Sequence, residues 1–255
     1  VQAGSVIMVR MTGRSDKLKA GKHAGKKSSK KSSKKSSNKS SKKSRSKSSE
    51  RWLSRQRKDP FAKKAVETGK TSRAHFKLEQ LNQRFRLLKP GMRVLELGAA
   101  PGGWTCFLEE EISPGGFLVA VDYRPVTIAA DTVLVEGLFG DPEIDNKIDG
   151  ILEDKPLDLV LSDMAPNISG IRTADQARSM ELVELAEAAA DRWLKPGGAL
   201  VVKIFQGEGV EEWIRRIRGK YGAFKQVKPE ASRPDSREMY AVAQKYRPQR
   251  KDKPD

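Results

Sequence analysis

Past Trp52, the apolar positions of this chain fall into two alternating periods. Helical spacing marks "DPFAKKAVETG", "TSRAHFKLEQLNQRFRLL", "GWTCFLEEEI", "PEIDNKIDGILED", a long run from about Thr173 to Leu194, and "VEEWIRRIRGKYG". The second of these has a Thr or Ser in position to cap its start. Between the helices lie short, nearly continuous apolar runs that read as buried strands: "MRVLELG", "GFLVAVD", "TVLVEG", "LDLVLSD" and "GALVVKIF". Two last strands fall in "FKQVKPEAS" and "REMYAVAQKY"; with no helix between them they must run antiparallel. The alternation predicts an α/β fold with a mostly parallel sheet covered on both faces by helices.

One position breaks the apolar pattern. In "GALVVKIF", Lys203 stands between Val202 and Ile204 in a run that should be buried. An unpartnered ammonium costs several kcal/mol in such a place, so the fold must supply partners or let the chain end snorkel out.

Charge changes the picture of the N-terminal part. The formal charge is +17, but residues 1–50 carry 16 Lys/Arg against Asp16 and Glu50, and residues 51–93 carry 13 basic against 3 acidic side chains. The remainder, 21 basic against 28 acidic, is an acidic body. A polyanion gripped at one edge of a domain fits this layout, with nucleic acid ahead of membrane. Within the first 50 residues, "KKSSKKSSKKSSNKSSKKSRSKSS" offers nothing to bury, and a disordered RNA-binding arm is expected there. The expected division is therefore a basic tail over residues 1–50, one domain over 51–247 and a flexible end over 248–255. Cys106 is the only cysteine and the histidines are His23 and His75, so neither a disulfide nor a zinc constellation is expected. No apolar run approaches the roughly 18 residues of a membrane span. A cytoplasmic protein is expected.

Candidate chemistry begins with "VLELGAAPGGW", Val94 to Trp104, a glycine-rich turn between a strand and a helix. There a backbone can closely approach a ligand, although Ala100 stands where a dinucleotide fingerprint needs its second glycine. Asp122, in "AVDYRP" at the end of the next strand, can accept hydrogen bonds from both hydroxyls of a ribose. The two signals together point to an adenosine-containing ligand without separating S-adenosylmethionine from NAD. Asp163 in "LVLSDMAPN" ends a further strand, Lys77 lies on the helix of "SRAHFKL", and Glu238 opens the last strand in "SREMYAVA". Glu109, Glu110 and Glu111 read as a solvated helix end, and Trp193, Trp213 and the C-terminal aromatics as core.

The stretches "SSERWL", "SRAHFKL", "LGAAPGGW", "SDMAPNISG", "VVKIFQGEG" and "SREMYAVA" occur in an order that closely resembles the FtsJ (RrmJ, RlmE) family of ribosomal RNA 2′-O-ribose methyltransferases, over roughly Ser49 to Lys245. The resemblance implies a class I S-adenosylmethionine-dependent, Rossmann-like fold of seven strands, the last antiparallel. It implies a Lys-Asp-Lys-Glu catalytic set on Lys77, Asp163, Lys203 and Glu238. It further implies that Gly98, Gly102 and Trp104 meet the methionine and sugar of S-adenosylmethionine, Asp122 the ribose, with Asp163 close to the sulfonium. Where the family shows Gly-Asp after the third strand, this chain has "EGLFGD", so Leu138 replaces an acid; backbone groups, or Asp141 from the next turn, would read the adenine.

On that resemblance the substrate is a uridine of large-subunit ribosomal RNA, in the peptidyl-transferase A loop; separately, a monomer is expected, and with no cluster of carboxylates to hold an ion, no metal is expected. Transfer to a ribose hydroxyl is an in-line displacement in which a weak nucleophile loses its proton, so a base and strict alignment are required. Burial and a nearby cation favour the neutral form of a lysine, and Lys203 is the expected base. Lys77 would raise the positive potential and help hold the ribose; Asp163 and Glu238 would orient the groups. Arg51, Arg55, Arg57, Lys58, Lys63, Lys64 and Arg73 would form a phosphate track. The alternatives are a 2′-O-methyltransferase acting on transfer RNA or a messenger cap, and an RNA-binding or ribosome-binding protein that keeps the fold without the chemistry.

Overall fold

The computed structural model describes residues 59–129 and 131–248. The expected tail over residues 1–50, the C-terminal end from residue 249 and the basic residues Arg51, Arg55, Arg57 and Lys58 lie outside the described residues.

Seven strands form one sheet in the order β3-β2-β1-β4-β5-β7-β6. They are β1 (Arg93–Leu97), β2 (Phe117–Asp122), β3 (Val133–Glu136), β4 (Leu157–Ser162), β5 (Leu194–Phe205), β6 (Tyr221–Val227) and β7 (Glu238–Tyr246). Pairing is parallel from β3 through β5, and β7 inserts antiparallel between β5 and β6. The helices are α1 (Pro60–Glu67), α2 (Ala74–Phe85), α3 (Gly103–Ile112), α4 (Pro142–Leu152), α5 (Arg172–Trp193) and α6 (Val210–Lys220). The expected α/β fold with its antiparallel last strand is therefore present.

Two hydrophobic layers sandwich the sheet, and the period of two along each strand assigns every side chain to one of them. Leu95, Leu97, Leu200, Val202 and Ile204 face α4, α5 and α6, meeting Ile148, Ala186, Trp193, Trp213 and Ile217. Val94, Leu159, Leu161, Val201, Tyr240 and Val242 face α2 and α3, meeting Leu78, Leu81, Trp104, Phe107 and Leu108. By that parity Glu96, Asp163, Lys203 and Glu238 all belong to the α2/α3 side. The strand order reverses between β1 and β4, and the crevice at the carboxyl ends of such a switch point is where open α/β sheets bind ligands.

Several boundaries differ from the sequence expectation. Strand β6 begins at Tyr221, not Phe224, because Tyr221 pairs across to Tyr246 and buries its ring there; this also ends α6 at Lys220. It stops at Val227, ahead of Pro229, which cannot donate to a ladder. Helix α2 has no side-chain N-cap bond, and Ser72 Oγ instead accepts from Ala74 N at 3.2 Å. Asp59 caps α1 by accepting from Phe61 N at 3.1 Å and Ala62 N at 3.2 Å, with Pro60 in the first turn.

Candidate active site

Lys203 finds its partners at the carboxyl end of the neighbouring strand. Its Nζ donates to the main-chain carbonyl of Asp163 at 2.5 Å and to Asp163 Oδ1 at 3.0 Å. Asp163 is placed there because its own N–H donates to Leu97 O at 3.0 Å, tying the end of β4 to β1. The pair is not sealed: the Lys203 side chain is 7% exposed, but that of Asp163 is 19% exposed. A second pair stands beside it, Lys77 Nζ at 2.6 Å from Glu238 Oε1, brought together from α2 and the start of β7. Ser232 Oγ donates to the same Glu238 oxygen at 2.8 Å.

Tyr240 joins the two pairs. Its hydroxyl donates to Asp163 Oδ1 at 2.6 Å and accepts from Lys77 Nζ at 3.4 Å. From its place near the C-terminus this tyrosine reads as a core aromatic. A sharper signal was present: Tyr240 lies two residues after Glu238, on the same strand face, and it pairs in register with Lys203. All four residues expected to act together are thus assembled in one cluster of two amines, two carboxylates and one phenol.

The electrostatics follow from burial and pairing. Burial pushes the Asp163 carboxyl up, but the Lys203 and Lys77 ammoniums and the Tyr240 hydroxyl outweigh it, so its pKa lies below the ordinary value. Burial pushes the Tyr240 phenol well above its ordinary range, and the charges of Asp163 and Glu238 add to this, so it stays a neutral donor. Glu96, which sequence reasoning passed over as part of a strand, is 1% exposed and is pushed up to about 8. Burial is the main cause, opposed by the hydrogen bond from Thr105 Oγ1 (2.7 Å) and reinforced by Asp163, Glu109 and Asp122. Burial thus favours its protonated form.

The glycine-rich turn lies beside this cluster. Gly98 has φ +79°, and a Cβ there would stand 2.8 Å from Met164 N, so only glycine lets β1 turn this close to the end of β4. Gly102 has φ +106° and a Cβ there would collide with the Thr127 carbonyl. It is the N-cap of α3 and brings no side-chain cap, which leaves first-turn N–H groups of a 10-residue helix to meet an anion such as an amino-acid carboxylate. Asp122 closes the turn from the next strand, its Oδ2 accepting from Ala100 N at 2.9 Å. The turn, the free helix start and this acid fit the amino-acid and ribose portions of an adenosyl cofactor.

Trp104 follows Gly102 and Gly103 at the start of α3. Its indole is 2% exposed, donates to Ala74 O at 2.8 Å and packs against Tyr240 with centroids 5.6 Å apart. The ring braces α2 and β7 beneath the cluster, while the Trp104 main chain lies in the first turn of α3 beside the glycine-rich turn. Leu138, just beyond β3, is 56% exposed. Asp141 is also exposed and makes no side-chain cap to α4.

The phosphate track also needs correction at one position. Arg73 is not a free cation: its guanidinium pairs with Asp59 and with the carbonyl of Ala231, which fastens α2 to α1 and to the segment before β7. Lys63 is exposed, and Lys64 lies over the Phe76 ring at 4.5 Å. The three glutamates at the end of α3 do more than meet solvent. Glu109 accepts from Ala129 N at 2.7 Å and from Thr132, Glu110 pairs with Lys70 at 3.1 Å, and Glu111 accepts from Asn82 at 2.8 Å. Trp193 and Trp213 are core residues as expected. Among the described residues no group of His, Cys, Asp and Glu could hold a metal ion, and no helix is long and apolar enough to cross a membrane.

Comparison with known proteins matches residues 71–246 to the FtsJ-like methyltransferase model. A ribosomal RNA large subunit methyltransferase E of Xanthomonas euvesicatoria pv. vesicatoria is 48% identical over 201 residues, covering 79% of this chain and 96% of the relative. One of Coxiella burnetii is 44% identical over 202 residues, covering 78% and 95%. Among solved structures, a protein assigned as a ribosomal RNA methyltransferase from Plasmodium falciparum superimposes with a TM-score of 0.62 at 25% identity, over 70% of this chain and 99% of that one.

Proposed function

Because the chain belongs to the FtsJ-like methyltransferase family, we propose that it carries a methyl group from S-adenosylmethionine to the 2′-hydroxyl of a ribose in large-subunit ribosomal RNA, the target being a uridine, with Lys203 as the base. One observation carries this reading. An amine embedded in a hydrophobic strand is held by two acceptors of Asp163 and is linked through Tyr240 to a second Lys-Glu pair, at the mouth of the glycine-rich turn.

The Gly98–Gly102 turn and the start of α3 would hold the amino-acid end of the cofactor and Asp122 its ribose. S-adenosylmethionine, when bound, supplies an electrophilic methyl group on a sulfonium. The remaining work falls to the chain. Lys203, once its own ammonium has lost a proton to solvent, would take the proton from the 2′-hydroxyl as that oxygen forms its bond to the methyl carbon and the carbon–sulfur bond breaks. The ammonium so produced is held by the Asp163 carbonyl and carboxylate already in place. Tyr240 and Lys203 both donate to Asp163 Oδ1, which fixes the carboxylate and hence the aim of the amine. Lys77, neutralised by Glu238, presents N–H donors to the incoming ribose without adding net charge to the pocket. Exposed lysines on α1, beginning with Lys63, meet RNA phosphates.

The test offers purified protein and labelled S-adenosylmethionine three acceptors in parallel: large-subunit ribosomal RNA or the assembled subunit, transfer RNA, and capped messenger RNA. Label is expected in the ribosomal acceptor alone, at one uridine whose 3′ linkage becomes resistant to alkali. Label on transfer RNA or cap, or on a base, would overturn the assignment, and no transfer to any acceptor would favour a binding protein.

A further inference from the structure

The acid that ends β2 has more partners than a ribose site needs. Two are main-chain: Ala100 N donates to Asp122 Oδ2 and Arg124 N to Oδ1, both at 2.9 Å, which locks the carboxylate against the glycine turn. The other two come from one side chain, with Arg124 Nε at 3.2 Å from Oδ1 and Nη2 at 3.3 Å from Oδ2. A carboxylate has roughly four lone-pair positions, so these four donors fill it. The Arg124 side chain is 56% exposed and that of Asp122 2%. The guanidinium therefore lies between the acid and solvent, next to the exposed ring of Tyr123, whose centroid is 5.3 Å away.

We propose that Arg124 guards the ribose subsite: its guanidinium and the two hydroxyls of a ribose compete for the same lone pairs of Asp122, so the arginine swings off when the adenosyl ligand binds. This rests on the reading of Asp122 as the ribose acid. The main-chain bonds from Ala100 and Arg124 are untouched by the exchange, so the carboxylate stays aimed while one pair of donors replaces another. The arrangement makes binding conditional on the diol. A ligand without both hydroxyls cannot repay the two bonds it would break, and it binds with the arginine still in place. The guard is weak because it is half-exposed, as suits an occupant that must leave in every catalytic cycle.

Calorimetric titration of S-adenosylhomocysteine and of its 2′,3′-dideoxy analogue into the full chain tests the exchange. In Arg124→Ala, S-adenosylhomocysteine is expected to bind up to about fivefold more tightly than in the unsubstituted protein, the range of a released exposed ion pair. The dideoxy analogue should bind both proteins equally, and Arg124→Gln should behave as Arg124→Ala, which separates lost charge from lost bulk. Unchanged or weaker binding of S-adenosylhomocysteine in Arg124→Ala overturns the guard, as does equal tightening of both ligands. Asp122→Asn separates this from the underlying reading. Its binding of S-adenosylhomocysteine should fall more than tenfold, and undiminished binding there means that Asp122 is not the ribose acid.

Discussion

Replacing Glu96 by glutamine should stabilise the protein, and the gain should grow with pH. Glu96 is buried on β1 with Thr105 as its hydrogen-bond partner, and its pKa is pushed from 4.5 to about 8. The folded state therefore keeps a proton that the unfolded chain releases above about pH 4.5. Between these two values the folded state binds more protons, so stability falls as pH rises. At about 1.4 kcal/mol per pH unit, the full interval from 4.5 to about 8 amounts to on the order of 5 kcal/mol. From pH 6 to pH 8 the share is about 2 kcal/mol, because the slope halves as pH reaches the folded-state value. Glutamine keeps an oxygen for Thr105 and donors where the acid had its proton, and it has no charge to bury. Urea denaturation of both proteins at pH 6, 7, 8 and 9, followed by circular dichroism, isolates the effect, because every other titrating group is common to both. The difference in unfolding free energy, variant minus unsubstituted, should rise by about 2 kcal/mol from pH 6 to 8 and then level off. A difference independent of pH, or one that shrinks as pH rises, would refute the reasoning that this carboxyl is held neutral.

Three further expectations test other parts of the site. Tyr240→Phe removes one charge-assisted donor from Asp163 and the acceptor facing Lys77; single-turnover methylation should slow by roughly ten- to a hundredfold, the loss of about 1.5–3 kcal/mol, with cofactor affinity kept. Gly98→Ala forces a side chain into a left-handed conformation 2.8 Å from Met164 N; a lower melting temperature and weaker binding of S-adenosylhomocysteine should appear together, and an unperturbed protein would show that the turn tolerates a Cβ. Arg73→Ala should lower the melting temperature without altering the salt dependence of RNA binding, since its guanidinium is spent on Asp59 and Ala231, whereas Lys63→Ala should reduce that slope by about 1.

The sheet was legible because its strands are buried on both faces and so stand out as apolar runs between helices of clear period. The edge was not: β6 carries the pattern YGAFKQV with several exposed positions, and only pairing with β7 shows where it starts. The tetrad was reached by resemblance, and strand parity shows why it assembles, since Asp163, Lys203 and Glu238 share the face that packs on α2. Tyr240 and Glu96 were hidden for opposite reasons. A tyrosine in a strand looks like core, and Trp104 does pack against it; a glutamate inside a strand gives no sign of its burial until Thr105 on α3 covers it. Arg73 shows the reverse error, in which a residue type suited to a ligand is consumed by structure, its guanidinium by Asp59. Local sequence does not reveal which partner a long side chain reaches across the fold.

The central claim is that the amine of Lys203 receives the proton of the hydroxyl being methylated. Single-turnover methylation by Lys203→Ala, in protein shown by calorimetry to bind S-adenosylhomocysteine as tightly as before, tests it directly. A fall of at least a hundredfold in the rate of methyl transfer is predicted. A rate close to that of the unsubstituted protein would contradict the account.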